Sequence, residues 1–286
     1  MSKFVVLYNP LSDCGNGEKS AHRLDELSMP GELSYVDITT ITDYPSFFAS
    51  LSEDTALVLC GGDGTLNRFA NAVYSIPYKN EVFCFACGTG NDFLRDIGQQ
   101  QEEKPVKITE YLKSLPVVKV KGKEYRFLNN VGFGIDGYCT QVGDQLREEG
   151  KDKINYAGIA IKGILGKFHP VNAVITIDGN KEGYRKVWLA PTMKGRFYGG
   201  GMMAAPEQDR TAEDGSVSLM VYHTGSKLKA LTAFPSIFKG EHIKHKKMVH
   251  VFKGHNIHVT FDRPCALQID GETILDVTEY KVHTGE

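Results

Sequence analysis

The sequence predicts an α/β domain on a parallel sheet, followed by a β-rich domain. Over residues 1–116, short apolar runs alternate with segments of helical period, and glycine-, asparagine- or serine-rich turns separate them. That is the pattern of parallel strands with helices on their faces. Over residues 117–279, strand-like runs follow one another with two helical interruptions.

The elements run as follows. Phe4 to Tyr8 reads as a buried strand, and Ala21, Leu24 and Leu27 follow at helical spacing. Tyr35 to Ile38 and Ala56 to Cys60 are the second and third strands, the latter entering a glycine-rich turn. Leu66, Phe69, Ala70 and Val73 then share one helix face. Val82 to Ala86 is a fourth strand, and Ile108, Tyr111, Leu112 and Leu115 repeat the helical pattern. Beyond Pro116 come strands at Val171 to Ile177, Val187 to Ala190, Val217 to Val221, Ile257 to Phe261 and Ala266 to Ile269. Asp178-Gly179-Asn180 marks a hairpin. Helices are expected near Ile154 to Leu165 and Leu228 to Phe238. The first domain is set at 1–116, with 280–286 open to rejoining it, and the second at 117–279. Clefts between domains are favoured ligand sites.

At 286 residues and 41% hydrophobic composition the chain can bury a proper core. A net charge of −2 and pI near 6.5 argue against a nucleic-acid partner. Six cysteines in a chain this long make no disulfide framework and fit a reducing compartment. The first apolar run is too short for a signal peptide, and no stretch approaches the roughly 20 apolar residues of a membrane span. A cytoplasmic protein is expected, one that meets any lipid from the water side.

The chemistry concentrates at Gly61-Gly62-Asp63-Gly64-Thr65. Three glycines in four positions let the backbone approach a ligand, and the turn opens a helix whose free N–H groups attract an anion. A carboxylate among such amides is costly unless a cation joins it, which makes Asp63 a partner for Mg²⁺ on a nucleotide phosphate. The plain alternative is a tight turn with a solvated Asp63. Gly88-Thr89-Gly90-Asn91-Asp92 repeats the logic after the fourth strand. Gln268-Ile269-Asp270-Gly271-Glu272 puts two carboxylates two positions apart, where proximity of like charge raises one of them toward the range of a general base. Here too the plain alternative is a hairpin with solvated acids.

The first of these runs resembles the shared nucleotide signature of the diacylglycerol and sphingosine lipid kinases, the NAD kinases and, more distantly, the phosphofructokinases. Asn9-Pro10-Leu11-Ser12 is similar to the lipid kinases' opening Asn-Pro-x-Ser, and residues 88–92 to their Gly-Thr-x-Asn-Asp. Phe127 to Asp136, Tyr198-Gly199-Gly200-Gly201, Pro206, Asp214-Gly215 and Asp270-Gly271-Glu272 continue the likeness. In order and spacing these motifs resemble the diacylglycerol kinase catalytic-domain family over about residues 4–280. The resemblance implies a Rossmann-like nucleotide-binding α/β domain and a C-terminal β-sandwich that takes the lipid.

It also implies an ATP- and Mg²⁺-dependent kinase acting on a lipid hydroxyl, diacylglycerol or a related lipid, peripheral at a membrane and open to homodimer formation. Carried over, Asn9, Pro10, Ser12, Thr40, Gly61, Gly62, Asp63, Gly64, Thr65, Asn67, Gly88, Thr89, Asn91 and Asp92 bind nucleotide. Glu272 is the base, supported by Asp270, with Asp63 orienting metal and phosphate. Asp214, with the carbonyls of Thr211 and Ser216, holds a structural Mg²⁺; an ordinary Asp-Gly turn is the alternative. Three departures stand out: Asp13 where the family has glycine, Ala86 where it has proline, and Val118 where it often carries an acid for which Asp136 is a candidate substitute.

An NAD kinase-like enzyme acting on a soluble nucleotide is the rival reading, and a nucleotide-binding protein without catalysis is the third. Other signals are set aside. Cys84-Phe85-Ala86-Cys87 has no second pair and reads as strand packing. The histidines and lysines of 239–258 read as a solvated basic face, or as a contact for anionic lipid head groups. Tyr156 to Leu165 packs in a core or covers a lipid pocket. Arg196 is a candidate phosphate contact, and Gly17-Glu18-Lys19-Ser20 fails the P-loop pattern.

Overall fold

The computed structural model describes residues 2–87, 90–99, 104–151 and 154–285, and it divides into two compact units, Met1–Ser114 and Leu115–Glu286. In the first unit, strands β1 (Ser2–Tyr8), β2 (Gly31–Asp37), β3 (Thr55–Gly61), β4 (Val82–Ala86) and β5 (Val106–Lys107) form one sheet in the order β2-β1-β3-β4-β5. The pairings β1–β2, β1–β3 and β3–β4 are parallel, and only the two-residue edge β5 is antiparallel. β3 is central and almost wholly buried, as the unbroken run Ala56 to Cys60 requires of a strand covered on both faces.

Helix α1 (Asp63–Val73) follows β3 directly, and Leu66, Phe69, Ala70 and Val73 are its buried face, as their spacing predicts. Helix α2 (Asp92–Asp96) is one short turn after β4. Where the sequence suggests longer helices, the chain tightens instead. Residues Gly17–Ala21 pass into a 3-10 turn at His22–Glu26, and Thr109–Leu112 is also 3-10. The second strand starts earlier than expected and ends at Asp37, whose carboxylate accepts the Thr39 N–H and turns the chain.

In the second unit, β6 (Val117–Val120), β7 (Lys123–Arg126) and β8 (Asn130–Gly134) lead into helices α3 (Ile135–Glu148) and α4 (Tyr156–Leu165). Then come β9 (Val171–Ile177), β10 (Asn180–Met193), β11 (Val217–His223), helix α5 (Lys227–Ala233), β12 (Val249–Gly254), β13 (Asn256–Ile269) and β14 (Glu272–His283). Among the described residues these make a nine-stranded sheet in the order β12-β11-β10-β8-β13-β14-β6-β7, with β9 joining β10 to β13.

The two 14-residue strands organise this antiparallel layer. β10 pairs with β9 through its first half and with β8 through its second, and β13 does the same. Register shifts at Val187/Leu189 and between Thr260 and Leu267 let each strand bend from one partner to the other. The expected strands Ile257 to Phe261 and Ala266 to Ile269 are therefore two halves of β13. The hairpin at Asp178-Gly179 is confirmed, with both residues at positive φ.

Three features depart from the sequence reading. Residues 135–148 are helical. The lysine-rich segment contains strand β12, and His242 within it is buried, its Nε2 at 3.0 Å from the Ala204 carbonyl. Residues 281–283 pair with 117–119 of β6 inside the second unit instead of rejoining the first.

Candidate functional site

In the first unit the two glycine turns stand side by side, at the ends of the neighbouring parallel strands β3 and β4. Gly61 closes β3, where a Cβ would fall 2.4 Å from Thr65 Oγ1, so the turn needs a bare backbone there. Gly62 is the N-cap of α1. Asp63 then ties the turns together. Its N–H donates to the Gly90 carbonyl at 2.9 Å, and its Oδ2 and Oδ1 accept the N–H groups of Asp92 and Phe93 at 2.9 and 3.0 Å. The Asp63 carboxylate thus caps α2, a role that its position in the sequence did not announce. Thr65, Asn67 and Asp92 are buried at this junction, and Asn91 is the N-cap of α2. Gly88 and Thr89 lie outside the described residues.

The Asn9-Pro10-Leu11-Ser12 loop follows β1. Asn9 Oδ1 accepts the Leu11 N–H at 3.0 Å, and the Asn9 carbonyl accepts the Ser12 N–H and hydroxyl at 3.0 and 2.7 Å. Asp13 and Cys14 take positive φ (51° and 55°), a conformation that glycine adopts more readily. Asp13 is steadied there by the Ser20 hydroxyl, which donates to its Oδ2 at 2.7 Å. Thr40 is exposed, and its hydroxyl donates to the Asp37 carbonyl. Cys60, Cys84 and Cys87 are buried, and burial raises the Cys60 and Cys84 thiols.

In the second unit, Asp270 and Gly271 form the two-residue turn between β13 and β14, with Ile269 opposite Glu272. Both turn residues have positive φ (45° and 94°). Asp270 accepts three backbone N–H groups, from Leu128 at 2.5 Å and from Asn129 and Asn130 at 2.8 Å each. The turn is thereby bound to the chain entering β8. Glu272 is exposed at the start of β14. Arg210 grips the same segment from the other side, donating to the Leu128 carbonyl and to Asn129 Oδ1 at 2.8 Å.

Asp136 is buried in the first turn of α3, and burial pushes its carboxyl up to about 7; its own and the Gly137 amides and the Gln268 side chain lie near enough to oppose that rise but complete no hydrogen bond to it. Val118, the position of the expected acid, is fully buried in the apolar core. At the Asp214 turn, Asp214 Oδ1 accepts the Ser216 N–H at 2.9 Å, and this bond holds its carboxyl below the usual range. The Ser216 carbonyl receives Gln208 Nε2 at 2.9 Å. Among the described residues no three His, Cys, Asp or Glu side chains converge as a metal cage.

Residues 3–121 match the model of the diacylglycerol kinase catalytic domain. Residues 129–281, more than half of the chain, match that of the YegS C-terminal NAD kinase beta sandwich-like domain. The chain belongs to the diacylglycerol kinase family. It is 25% identical to a diacylglycerol kinase of Mycobacterium tuberculosis, over 93% of this chain and 91% of that one. With a diacylglycerol kinase of Bacillus subtilis it shares 23% identity, over 95% and 90%. A Bacillus anthracis crystal structure has the same fold, with a TM-score of 0.70 at 21% identity over 100% of this chain and 93% of that one.

As a diacylglycerol kinase family member the chain is a kinase with an alcohol acceptor. No helix among its described residues is long and apolar enough to cross a membrane. Several polar residues around residues 128–130 escaped the sequence reading. Lys194 and Arg210 are buried there, and burial, then the Arg210 charge, lowers the Lys194 ammonium. Lys194 is a lone charge closing the mostly apolar run from Val187 to Met193, whereas Arg210 stands among polar neighbours and gives no such signal. Two concavities of about 320 and 370 Å³ lie elsewhere in this unit and include none of the predicted site residues; Tyr184 and Phe252 line one, Tyr138 and Phe168 the other.

Proposed function

We propose that the chain transfers the γ-phosphate of ATP to the hydroxyl of a lipid, diacylglycerol or a relative, at a membrane surface. The observation that carries this is the double tie of Asp63 to the second glycine turn, through Gly90 and the amides of Asp92 and Phe93. It gives two adjacent backbone corners, one opening the 11-residue helix α1, where phosphate finds N–H donors and a favourable dipole. Magnesium at such a corner takes its ligands from one or two carboxylates plus the phosphates, which suits a site with Asp63 and no cage of its own. When bound, the ion neutralises charge developing on the transferred phosphoryl group.

Asn9, Ser12, Thr65, Asn67, Asn91 and Asp92 line the nucleotide in this reading. Glu272 takes the proton of the acceptor hydroxyl as its oxygen attacks the γ-phosphorus and ADP leaves, and Asp270 fixes the turn that carries it. A second magnesium at Asp214 and the Thr211 and Ser216 carbonyls is structural, although two of those three groups already accept hydrogen bonds, Asp214 from the Ser216 N–H and the Ser216 carbonyl from Gln208 Nε2.

Labelled-ATP transfer to a panel of diacylglycerol, sphingoid base, undecaprenol, phosphatidylglycerol and NAD tests the proposal. A labelled lipid is expected. Labelled NADP, or no product, overturns it. Asp63→Asn is expected to remove most turnover and, because it also weakens the cap on α2, to cost about 1–2 kcal/mol of stability. Wild-type turnover in that variant excludes Asp63 from the reaction.

A further inference from the structure

Four buried polar atoms along β8 lack a hydrogen-bond partner: Asp136 Oδ1 and Oδ2, Gln268 Nε2 and Asn130 Nδ2. All three residues are more than nine-tenths buried. Asn130 opens β8, Gln268 stands in register with Gly132 of β8, and Asp136 lies in the first turn of α3 just beyond that strand. Gly132 makes room for the acid, since a Cβ there would lie 2.9 Å from Asp136 Oδ2. Native proteins leave few such groups unsatisfied, and each one asks for a reason.

The far end of the Gln268 side chain supplies one. Its Oε1 accepts the Gly271 N–H at 2.9 Å, inside the turn that presents Glu272. The amide therefore has its oxygen on the turn and its NH₂ group on the inner side. A carboxylate on that side disfavours the flipped amide, which would bring oxygen toward oxygen and take the acceptor from Gly271. We propose that Asp136 is a positioning residue which, through the Gln268 side chain, holds the Asp270-Gly271 turn in the form that presents Glu272. Its bearing on catalysis rests on the reading of Glu272 as the base.

The titratable groups coupled to Asp136 are Cys139 on its own helix and Tyr280 on β14. Burial pushes Cys139 up to about 12 and raises Tyr280, whose hydroxyl contacts Thr192 Oγ1 and the Ala190 carbonyl. Of these three groups Asp136 is the one that changes charge between pH 5 and 8.

Amide hydrogen exchange at Gly271 in the full chain is the test. At pH 8, Asp136→Asn is expected to lower the Gly271 protection factor roughly tenfold, toward that of Gln268→Met, which lacks the acceptor. Core amides of β3 keep theirs. Should Asp136→Asn not fold, the wild-type chain decides: Gly271 protection, normalised to β3, is expected to rise between pH 5 and 8. Unchanged protection in the variant, or a flat profile in the wild type, overturns the proposal. Phosphoryl transfer on the same samples separates the two readings, because lost protection with full turnover upholds the positioning role and removes Glu272 as the base.

Discussion

At the residue scale, the glycines of the first turn were legible in the sequence because their reason is steric and local. Thr65 packs where a side chain on Gly61 would go, four positions away in the same turn. Gly61→Ala places a methyl group within 2.5 Å of the Thr65 side chain at a buried junction, and the neighbour is β-branched and helical, so it has little room to yield. A loss of about 1–3 kcal/mol is expected, read as a lower urea midpoint at unchanged slope. What Asp63 does was not legible, because the amides it accepts belong to residues 92 and 93 and meet it only once β3 and β4 have paired.

At the scale of elements, helix α3 shows why sequence period alone misleads. Gly137 and Gly143 interrupt its apolar face, and each marks a close approach: a Cβ on Gly137 would lie 2.0 Å from the Ala266 carbonyl, and one on Gly143 2.8 Å from the Tyr156 ring. Glycine there serves packing of helix on strand and helix on helix, while to a reader of propensities it argues against a helix. The hairpin of β13 and β14 is the opposite case, since Asp-Gly between apolar runs predicts its own two-residue turn. Its anchoring was hidden, because the three amides that Asp270 accepts come from the far side of the unit in sequence. Asp270→Ala orphans all three amides, and roughly 3 kcal/mol or more is expected to be lost, given that hydrogen bonds to a charged group are the strong ones. Urea unfolding measures it, and a loss under 1 kcal/mol would show the turn to be held by its backbone alone.

For the molecule as a whole, these buried groups set how stability responds to pH. The Asp136 carboxyl keeps its proton to about pH 7 in the folded chain, against 3.8 when unfolded, because burial disfavours its charge. Between those values the folded state binds more protons, so the contribution of Asp136 is whole below about pH 3.8, shrinks as pH rises and is gone past about 7. The difference is on the order of 4 kcal/mol. His223 and His242 act in the opposite sense. Burial lowers both, so the unfolded chain binds more protons just below pH 6.5, and stability rises with pH through that window. Asp209 and Asp214, held low by the Thr211 hydroxyl and the Ser216 amide, add a loss only on acidification below 3.8. A wild-type melting curve against pH therefore blends opposed slopes, and the difference between variants isolates one of them. Asp136→Asn cannot ionise, so its melting temperature relative to wild type is expected to climb from pH 5 to about pH 7 and to level off beyond it. A constant offset across that range would mean that the acid reaches water when it ionises, and the buried charge would then no longer account for the orientation of Gln268.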